Sequence, residues 1–119
     1  MSEAWPTEIR LKSGGTQLAV AFDTGEAFEL TAEMLRVLSP SAEVKGHTPD
    51  QKKTVPGKKN VRIARIEQVG NYAVRLTFDD GHDTGLYSWD LLLDLGRNRT
   101  ARWAGYLDEL KAKGMSREQ

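Results

Sequence analysis

Alternating polar and apolar side chains predict two groups of β-strands along the chain. Residues 8–12 and 72–78 show this alternation, which is the period of a strand that buries one face. We predict strands at 8–12, 18–22, 28–30, 61–63, 72–78 and 84–86. Glycine-containing turns lie between several of them, at 13–15, 23–26, 70–71 and 79–82. The sequence therefore predicts about six antiparallel strands joined largely by hairpins.

Capping residues predict short helices after each group of strands. Thr31 is a suitable N-cap, and Ser39-Pro40 ends the helix that follows it, because proline has no backbone N–H to donate. The later helices are capped by Ser88 and Thr100 and are stopped by Gly96 and Gly114. The fold class expected is α+β, with two hairpin-plus-helix units and two or three short helices.

The two groups of elements also echo each other in sequence. A shift of 56 positions places Phe22 on Phe78, Asp23 on Asp79, Gly25 on Gly81, Leu30 on Leu86 and Leu35 on Leu91. One explanation is that hairpins followed by helices share turn chemistry by necessity. The other is a twofold pseudo-repeat of one β-β-α unit.

Length and composition fit one ordinary globular domain. The chain has 119 residues, which we interpret as a single domain over 1–119 with an ordered core at about 8–113. An exposed loop is expected at about 39–60, and a C-terminal tail at 114–119. Within that loop, the lysine-rich stretch 45–59 is either a solvated segment or a dock for an anionic surface.

Charge and cysteine content exclude several kinds of site. Seventeen basic residues balance seventeen acidic ones, so nothing draws the chain toward nucleic acid or anionic lipid. The chain has no cysteine, which removes disulfides, thiol nucleophiles and thiolate metal ligands. No apolar stretch is long enough to span a bilayer, and the first residues lack a signal-peptide pattern. We expect a cytoplasmic protein that binds neither nucleic acid nor membrane.

His82 and its neighbours are the residues most open to a functional interpretation. His82 and Asp83 lie in a carboxylate-rich turn, where they could bind a metal or exchange protons, or where His82 could simply be solvated. His47 is the second histidine, and its spacing from His82 matches no known ligand motif. Tyr87 and Trp89 flank a strand-to-helix junction, as ligand-lining or as core residues, and Trp5 lies outside the strands.

No familiar catalytic motif is present. The sequence lacks a G-x-S-x-G nucleophile elbow, a phosphate-binding glycine loop, a dinucleotide fingerprint and an H-E-x-x-H zinc motif. The carboxylate pairs are adjacent in sequence and do not indicate a glycosidase site. We therefore expect a protein that is not an enzyme.

Three blocks of the chain resemble a known family. They are Leu35–His47, Lys59–Ile63 and Asp80–Leu92, the last of which contains Gly-His-x-Thr-Gly-x-Tyr-x-Trp-Asp. Together they resemble the gamma-butyrobetaine hydroxylase-like N-terminal domain, known in its bacterial stand-alone form as the DUF971 family. The resemblance covers roughly residues 8–113. In the hydroxylases this domain precedes a separate iron-dependent catalytic domain, and similar domains are attached to iron–sulfur carrier ATPases.

The resemblance also implies a zinc site that this chain has lost. His82 matches the zinc histidine of the family, whereas the three cysteine positions fall on Ser39, Ser41 and Val44. A serine hydroxyl is a poor zinc ligand and valine is none, so no structural zinc is expected. At most, weak binding of iron or zinc is expected at His82 or His47.

These observations lead to two hypotheses about function. The first is a non-enzymatic binding or adaptor module whose protein partner, by resemblance, is an iron–sulfur carrier ATPase or an oxygenase. Its candidate surface consists of His82, Asp83, Tyr87 and Trp89. The alternative is a metal-linked accessory protein for iron or iron–sulfur cluster assembly, with His47, His82 and Asp83 as transient ligands.

Overall fold

Two small antiparallel sheets and short helices form the fold. A computed structural model describes residues 4–40, 54–83 and 85–118. The strands and helices are β1 (Pro6–Lys12), β2 (Gln17–Phe22), β3 (Ala27–Thr31), α1 (Ala32–Val37), β4 (Ile63–Val69), β5 (Ala73–Phe78), β6 (Leu86–Ser88), α2 (Trp89–Arg97) and α3 (Arg99–Ala112). One sheet has the order β1-β2-β3 and the other β4-β5-β6, with every pairing antiparallel. The predicted α+β class with six strands is confirmed.

The hairpin turns of the two sheets are built alike. Gly25 and Gly81 adopt φ values of 92° and 91°, a left-handed conformation that favours glycine. In the first turn Phe22 N–H donates to the carbonyl of residue 26 at 2.8 Å, and in the second Phe78 N–H donates to that of His82 at 2.9 Å. The two turns therefore share hydrogen bonds at an offset of 56 residues.

The helix caps of the two halves also correspond. The Thr31 hydroxyl accepts from Met34 N–H, and the Ser88 hydroxyl accepts from Leu91 N–H, both at 3.1 Å. Irregularities of register occur at matching places too, after Pro6 in β1 and after Ile63 in β4. These shared hydrogen bonds favour the pseudo-repeat over coincidental turn chemistry. The repeated unit is three strands followed by a helix. The first unit consists of β1–β3 and α1, and the second unit of β4–β6 and α2.

Each helix ends against the hairpin of the other unit. At the end of α2, a Cβ added to Gly96 would lie 2.4 Å from the Phe28 ring of β3. After α1, a Cβ added to Gly85 would lie 2.5 Å from the Ser39 hydroxyl. Residue 28 corresponds to 85 and residue 39 to 96 at an offset of 57, so the two contacts are pseudosymmetric. The units are therefore docked reciprocally.

Apolar packing between the units forms one main core. The central strands β2 and β5 bury alternate residues, which explains their clean sequence periodicity. Tyr87 is fully buried, and its hydroxyl donates to the Leu35 carbonyl at 2.5 Å. A smaller cluster of Val37, Tyr106 and Leu110 joins α3 to α1.

Several predicted boundaries were wrong. Gly96 does not stop α2, which continues to Arg97. The missing side chain of Gly96 instead makes room for the Phe28 ring. Thr100 does not cap α3, since the carbonyl of Asn98 already accepts from Arg102 N–H at 2.8 Å and α3 begins at Arg99. The strand expected at 61–63 begins only at 63, and the strand expected at 84–86 is β6 at 86–88, with Thr84 outside the described residues.

The described residues of the segment 54–60 pack against the rest of the domain. Of the loop expected at 39–60, residues 41–53 lie outside the described part of the chain. Thr54 is buried, and the Tyr106 hydroxyl donates to the Val55 carbonyl at 2.6 Å. Gly57 N–H donates to the Ser116 carbonyl at 2.9 Å, and Lys59 N–H to that of Arg117 at 3.1 Å. The C-terminal segment thus pairs with residues 57–59.

No helix in the described residues is long and apolar enough to cross a bilayer.

Replacing Gly96 with alanine tests the packing of α2 on β3. Alanine at an exposed helical site normally stabilises by about 0.5–1 kcal/mol relative to glycine. At Gly96 the new methyl group would meet the Phe28 ring, so we expect Gly96→Ala to lower the free energy of unfolding by about 1–3 kcal/mol. Urea denaturation measures the change.

Gly105 in α3 provides the matched control for that substitution. A Cβ there would meet nothing within 4 Å, so Gly105→Ala should stabilise the protein. Equal stabilisation by both substitutions would contradict the packing of Gly96 on Phe28.

Candidate functional site

Ser39 and His82 form a buried polar pair where the two units meet. Ser39 Oγ lies 3.0 Å from His82 Nε2, and the two residues are 0% and 6% exposed. The end of α1 positions Ser39, and the Gly81 turn positions His82. His82 is therefore not the solvated residue that one of its two sequence interpretations describes, because the turn packs against the end of α1.

A serine beside an imidazole has the composition of a nucleophile and its base, but this pair is enclosed. Gly85 packs against the Ser39 hydroxyl so closely that a methyl group would not fit, and Pro40 and Tyr87 adjoin the same space. A nucleophile must meet its substrate. This hydroxyl is fully buried, so the hydrogen bond has a structural role.

Asp80 is the charged centre beside this pair. Its Oδ2 accepts from Arg36 Nε at 2.8 Å and from Lys58 Nζ at 2.7 Å, while its Oδ1 accepts from His82 N–H at 3.1 Å. Burial acts to raise the pKa of this carboxyl, but the hydrogen bonds from Lys58 and Arg36 outweigh burial and lower the pKa to about 2. As a carboxylate, Asp80 therefore links α1, the Gly81 turn and the segment that contains Lys58.

The corresponding place in the first unit holds an ion pair. Arg97, at the end of α2, donates from Nε and Nη2 to the two carboxylate oxygens of Glu26 at 2.9 and 2.6 Å. Glu26 and His82 are 56 residues apart and occupy the same position in their turns. The hydrogen bond from Arg97 lowers the pKa of Glu26 to about 2.

The four residues proposed as a binding surface do not share one face. Tyr87 is fully buried, and burial raises the pKa of its hydroxyl well above the ordinary value. Asp83 is exposed, and Trp89, the first residue of α2, is half-buried. Of the set, Trp89 is the aromatic residue that reaches a groove.

Trp89 belongs to an aromatic groove that sequence reasoning recognised only in part. Trp5 and Tyr72 are 53% and 55% exposed, and both line a cleft with Trp89. The cleft adjoins a groove of about 390 Å³ between the two sheets, to which Ile9 and Ile66 contribute apolar side chains. We call this surface, Trp5, Tyr72 and Trp89 with the groove, the aromatic groove.

Backbone contacts fix two of these aromatic residues. Trp5 N–H donates to the Asp23 side chain at 3.1 Å, and Asp23 N–H returns a bond to the Trp5 carbonyl at 2.9 Å. The Trp89 indole N–H donates to the Asn71 carbonyl at 2.7 Å. A partly exposed indole held by such a bond suits recognition, because it loses little entropy on binding. Tyr72 was expected to begin a strand, but it lies in the turn before β5.

The family assignment follows from comparison with known proteins. Residues 9–93 match the family described as gamma-butyrobetaine hydroxylase-like, N-terminal. The chain belongs to this family. The resemblance carried by the His82 and Trp89 block is therefore confirmed.

Solved structures of similar proteins agree with this membership. Two proteins studied by NMR in solution share 42% and 51% identity with this domain, each with a TM-score of 0.84 and 98% of this chain covered, over 92% and 87% of theirs. A crystal structure of a DUF971-family protein of unknown function from Acidithiobacillus ferrooxidans shares 36% identity and a TM-score of 0.64, covering 76% of this chain and 91% of its own. A comparison with curated proteins found no match.

Of the candidate metal ligands, the structure describes His82 and Asp83. Within the described ranges, no group of three histidine, cysteine or acidic residues is arranged to hold an ion. Ser41, Val44 and His47 lie outside the described residues. Ser39, which the resemblance matches to a cysteine position, forms a hydrogen bond to His82, which the resemblance matches to the zinc histidine. The absence of structural zinc stays a prediction.

Metal titration tests that prediction and the metal-linked alternative together. We expect zinc and ferrous iron to give no stoichiometric, micromolar shift of the His82 ring signals in NMR spectra, because Ser39 and the surrounding packing enclose the ring. Surface carboxylates serve as the internal control for nonspecific binding. Saturable one-to-one shifts at His82 would instead favour an accessory role in iron or iron–sulfur assembly.

Neutralising Asp80 tests its role as an ion-paired carboxylate. We expect Asp80→Asn to lower the free energy of unfolding at pH 7 by about 1–3 kcal/mol, because hydrogen bonds to a charged group are lost. Folding lowers the pKa of Asp80, so its ionised side chain stabilises the folded state above the unfolded pKa of 3.8. This stabilisation is lost as the pH falls through about 2. The difference between wild type and variant should therefore shrink between about pH 5 and 2. A difference that stays constant over this range would contradict the assignment.

Proposed function

We propose that this domain is a non-enzymatic binding module whose protein partner docks on the aromatic groove. The observation that carries the proposal is the pair Trp5 and Tyr72, each more than half exposed, beside Trp89 and an apolar groove. Tryptophan and tyrosine dominate the energetics of protein interfaces because they bury a large apolar area and keep a polar atom for hydrogen bonding.

The shape and chemistry of the groove favour a macromolecular partner. It is open and lies between two sheets, with Ile9, Ile66 and Val74 contributing apolar surface. Its rim carries amide and carboxylate groups, such as Asn71 and Glu8, as the polar rims of protein interfaces do. An apolar side chain of a partner would fill the groove while its backbone meets this rim.

The polar pairs at the junction of the two units support a role without catalysis. Ser39 and His82 satisfy each other under α1, and Asp80 is held by Arg36 and Lys58. These groups have structural partners within the chain, so the features left for function are on the surface. The family resemblance points to two classes of partner, an iron–sulfur carrier ATPase and an oxygenase.

Binding measurements with matched variants test the proposal. We expect the double variant Trp5→Ala/Tyr72→Ala to weaken binding of the native partner about thirtyfold or more, because even one hot-spot aromatic typically contributes at least about 2 kcal/mol. The partner is first captured from native extract with the full chain, identified, and then purified for isothermal titration calorimetry.

Leu86→Ala is the control for loss of exposed apolar surface. Leu86 is 42% exposed and lies on β6, where its side chain does not line the groove. It should leave the affinity unchanged. Equal binding by wild type and the double variant, with both proteins folded by circular dichroism, would overturn the proposal.

A further inference from the structure

In the first unit, the C-terminal segment binds at the start of α1. The corresponding surface of the second unit, at the start of α2, has no such segment among the described residues. Glu33, the second residue of α1, is buried, and Arg117 from the C-terminal segment donates from Nε and Nη2 to its two oxygens, both at 2.7 Å. The Arg117 guanidinium also lies 5.3 Å from the ring centre of Trp103 on α3. An arginine held between a carboxylate and an aromatic ring thus covers the start of α1.

Asp90 occupies the corresponding position in the second unit. It is the second residue of α2 and follows the Ser88 cap as Glu33 follows the Thr31 cap, an offset of 57 residues. In contrast to Glu33, Asp90 is exposed, and it makes no ion pair within the described part of the chain. It lines the cleft with Trp5, Tyr72 and Trp89.

The pseudosymmetry therefore matches a carboxylate already paired with an arginine in one unit with a carboxylate that has no ion pair among the described residues in the other. The cleft around Thr31 and Glu33 is walled by α3 and Arg117, whereas the cleft around Ser88 and Asp90 is walled by exposed aromatic side chains. A second exposed carboxylate, Glu8, lies on the groove next to it, also without an ion pair among the described residues. Both charges favour a basic group and disfavour an anionic one.

We propose that the partner places an arginine side chain on Asp90, with its guanidinium against the aromatic groove, as Arg117 lies on Glu33 and Trp103. This inference rests on the proposed function and specifies the chemistry of the partner. Arginine is favoured over lysine because its planar guanidinium forms two parallel bonds to one carboxylate and stacks on aromatic faces. The neighbouring groove takes an apolar side chain beside that arginine.

A defined peptide pair tests the arginine directly on the full chain. The probes are acetyl-Gly-Leu-Arg-Leu-Gly-amide and the same peptide with citrulline, which keeps the shape and removes the charge. Binding is followed by NMR shifts of the Trp89 indole N–H and the Asp90 amide. We expect the arginine peptide to bind about tenfold more tightly than the citrulline peptide, as for a charged bidentate pair.

Variants that neutralise one carboxylate show which residue causes the preference for the arginine peptide. Asp90→Asn should abolish the preference for arginine, whereas Asp108→Asn, a matched change at an exposed carboxylate on α3, should leave it intact. Equal binding of the two peptides, or a preference that survives in Asp90→Asn, would overturn the inference. Shifts confined to the surroundings of Glu33 would overturn it as well.

Two further outcomes separate this inference from the proposed function. If Trp5→Ala/Tyr72→Ala abolishes binding of the native partner while Asp90→Asn leaves it unchanged, the arginine contact is wrong and the binding module stands. If the peptide binds as expected but the aromatic variant keeps full affinity for the partner, the proposed function fails. A concentration-dependent dimer that Asp90→Asn abolishes would replace the partner with a second copy of the chain.

Discussion

The fold depends on reciprocal closure, in which each helix ends on the hairpin of the other unit. Arg97 at the end of α2 pairs with Glu26, and Ser39 after α1 bonds to His82. Each three-stranded sheet with its helix is so small that a core of its own would be marginal. Because each unit covers the other, the apolar faces of both sheets share one core. We infer that the packing of this core depends on the two crossed contacts, which join the end of each helix to the hairpin of the other unit.

The same symmetry shows how the starts of α1 and α2 differ in the side chains that they expose. The chain uses its C-terminal segment to cover the start of α1, where Arg117 satisfies Glu33. It has no second segment of this kind among the described residues for the start of α2, and there the exposed side chains are Trp5, Tyr72 and Asp90. One half of the symmetric arrangement thus supports the fold, and the other is the surface on which we propose that a partner docks.

Local patterns explain why much of the fold was predictable from sequence. Strand alternation at Leu18, Val20 and Phe22 and hydroxyl caps at Thr31 and Ser88 are short-range signals, and the structure contains them. The continuation of α2 through Gly96 was missed because it depends on Phe28, far away in sequence. Burial of His82 was missed for the same reason, since a polar turn gives no local sign that a helix from the other unit covers it. The aromatic groove joins Trp5 to Tyr72 across two units, which no local window can show.

Native-state hydrogen exchange measures most directly whether reciprocal closure makes the two units one cooperative structure. The probes are amides in the centres of the two sheets, such as Val20 in β2 and Leu76 in β5, in wild type and in Ser39→Ala. The account predicts that both sheets exchange with the same free energy of opening and that the substitution lowers both by the same amount, because one crossed contact serves the whole core. Loss of protection confined to the second sheet would contradict it.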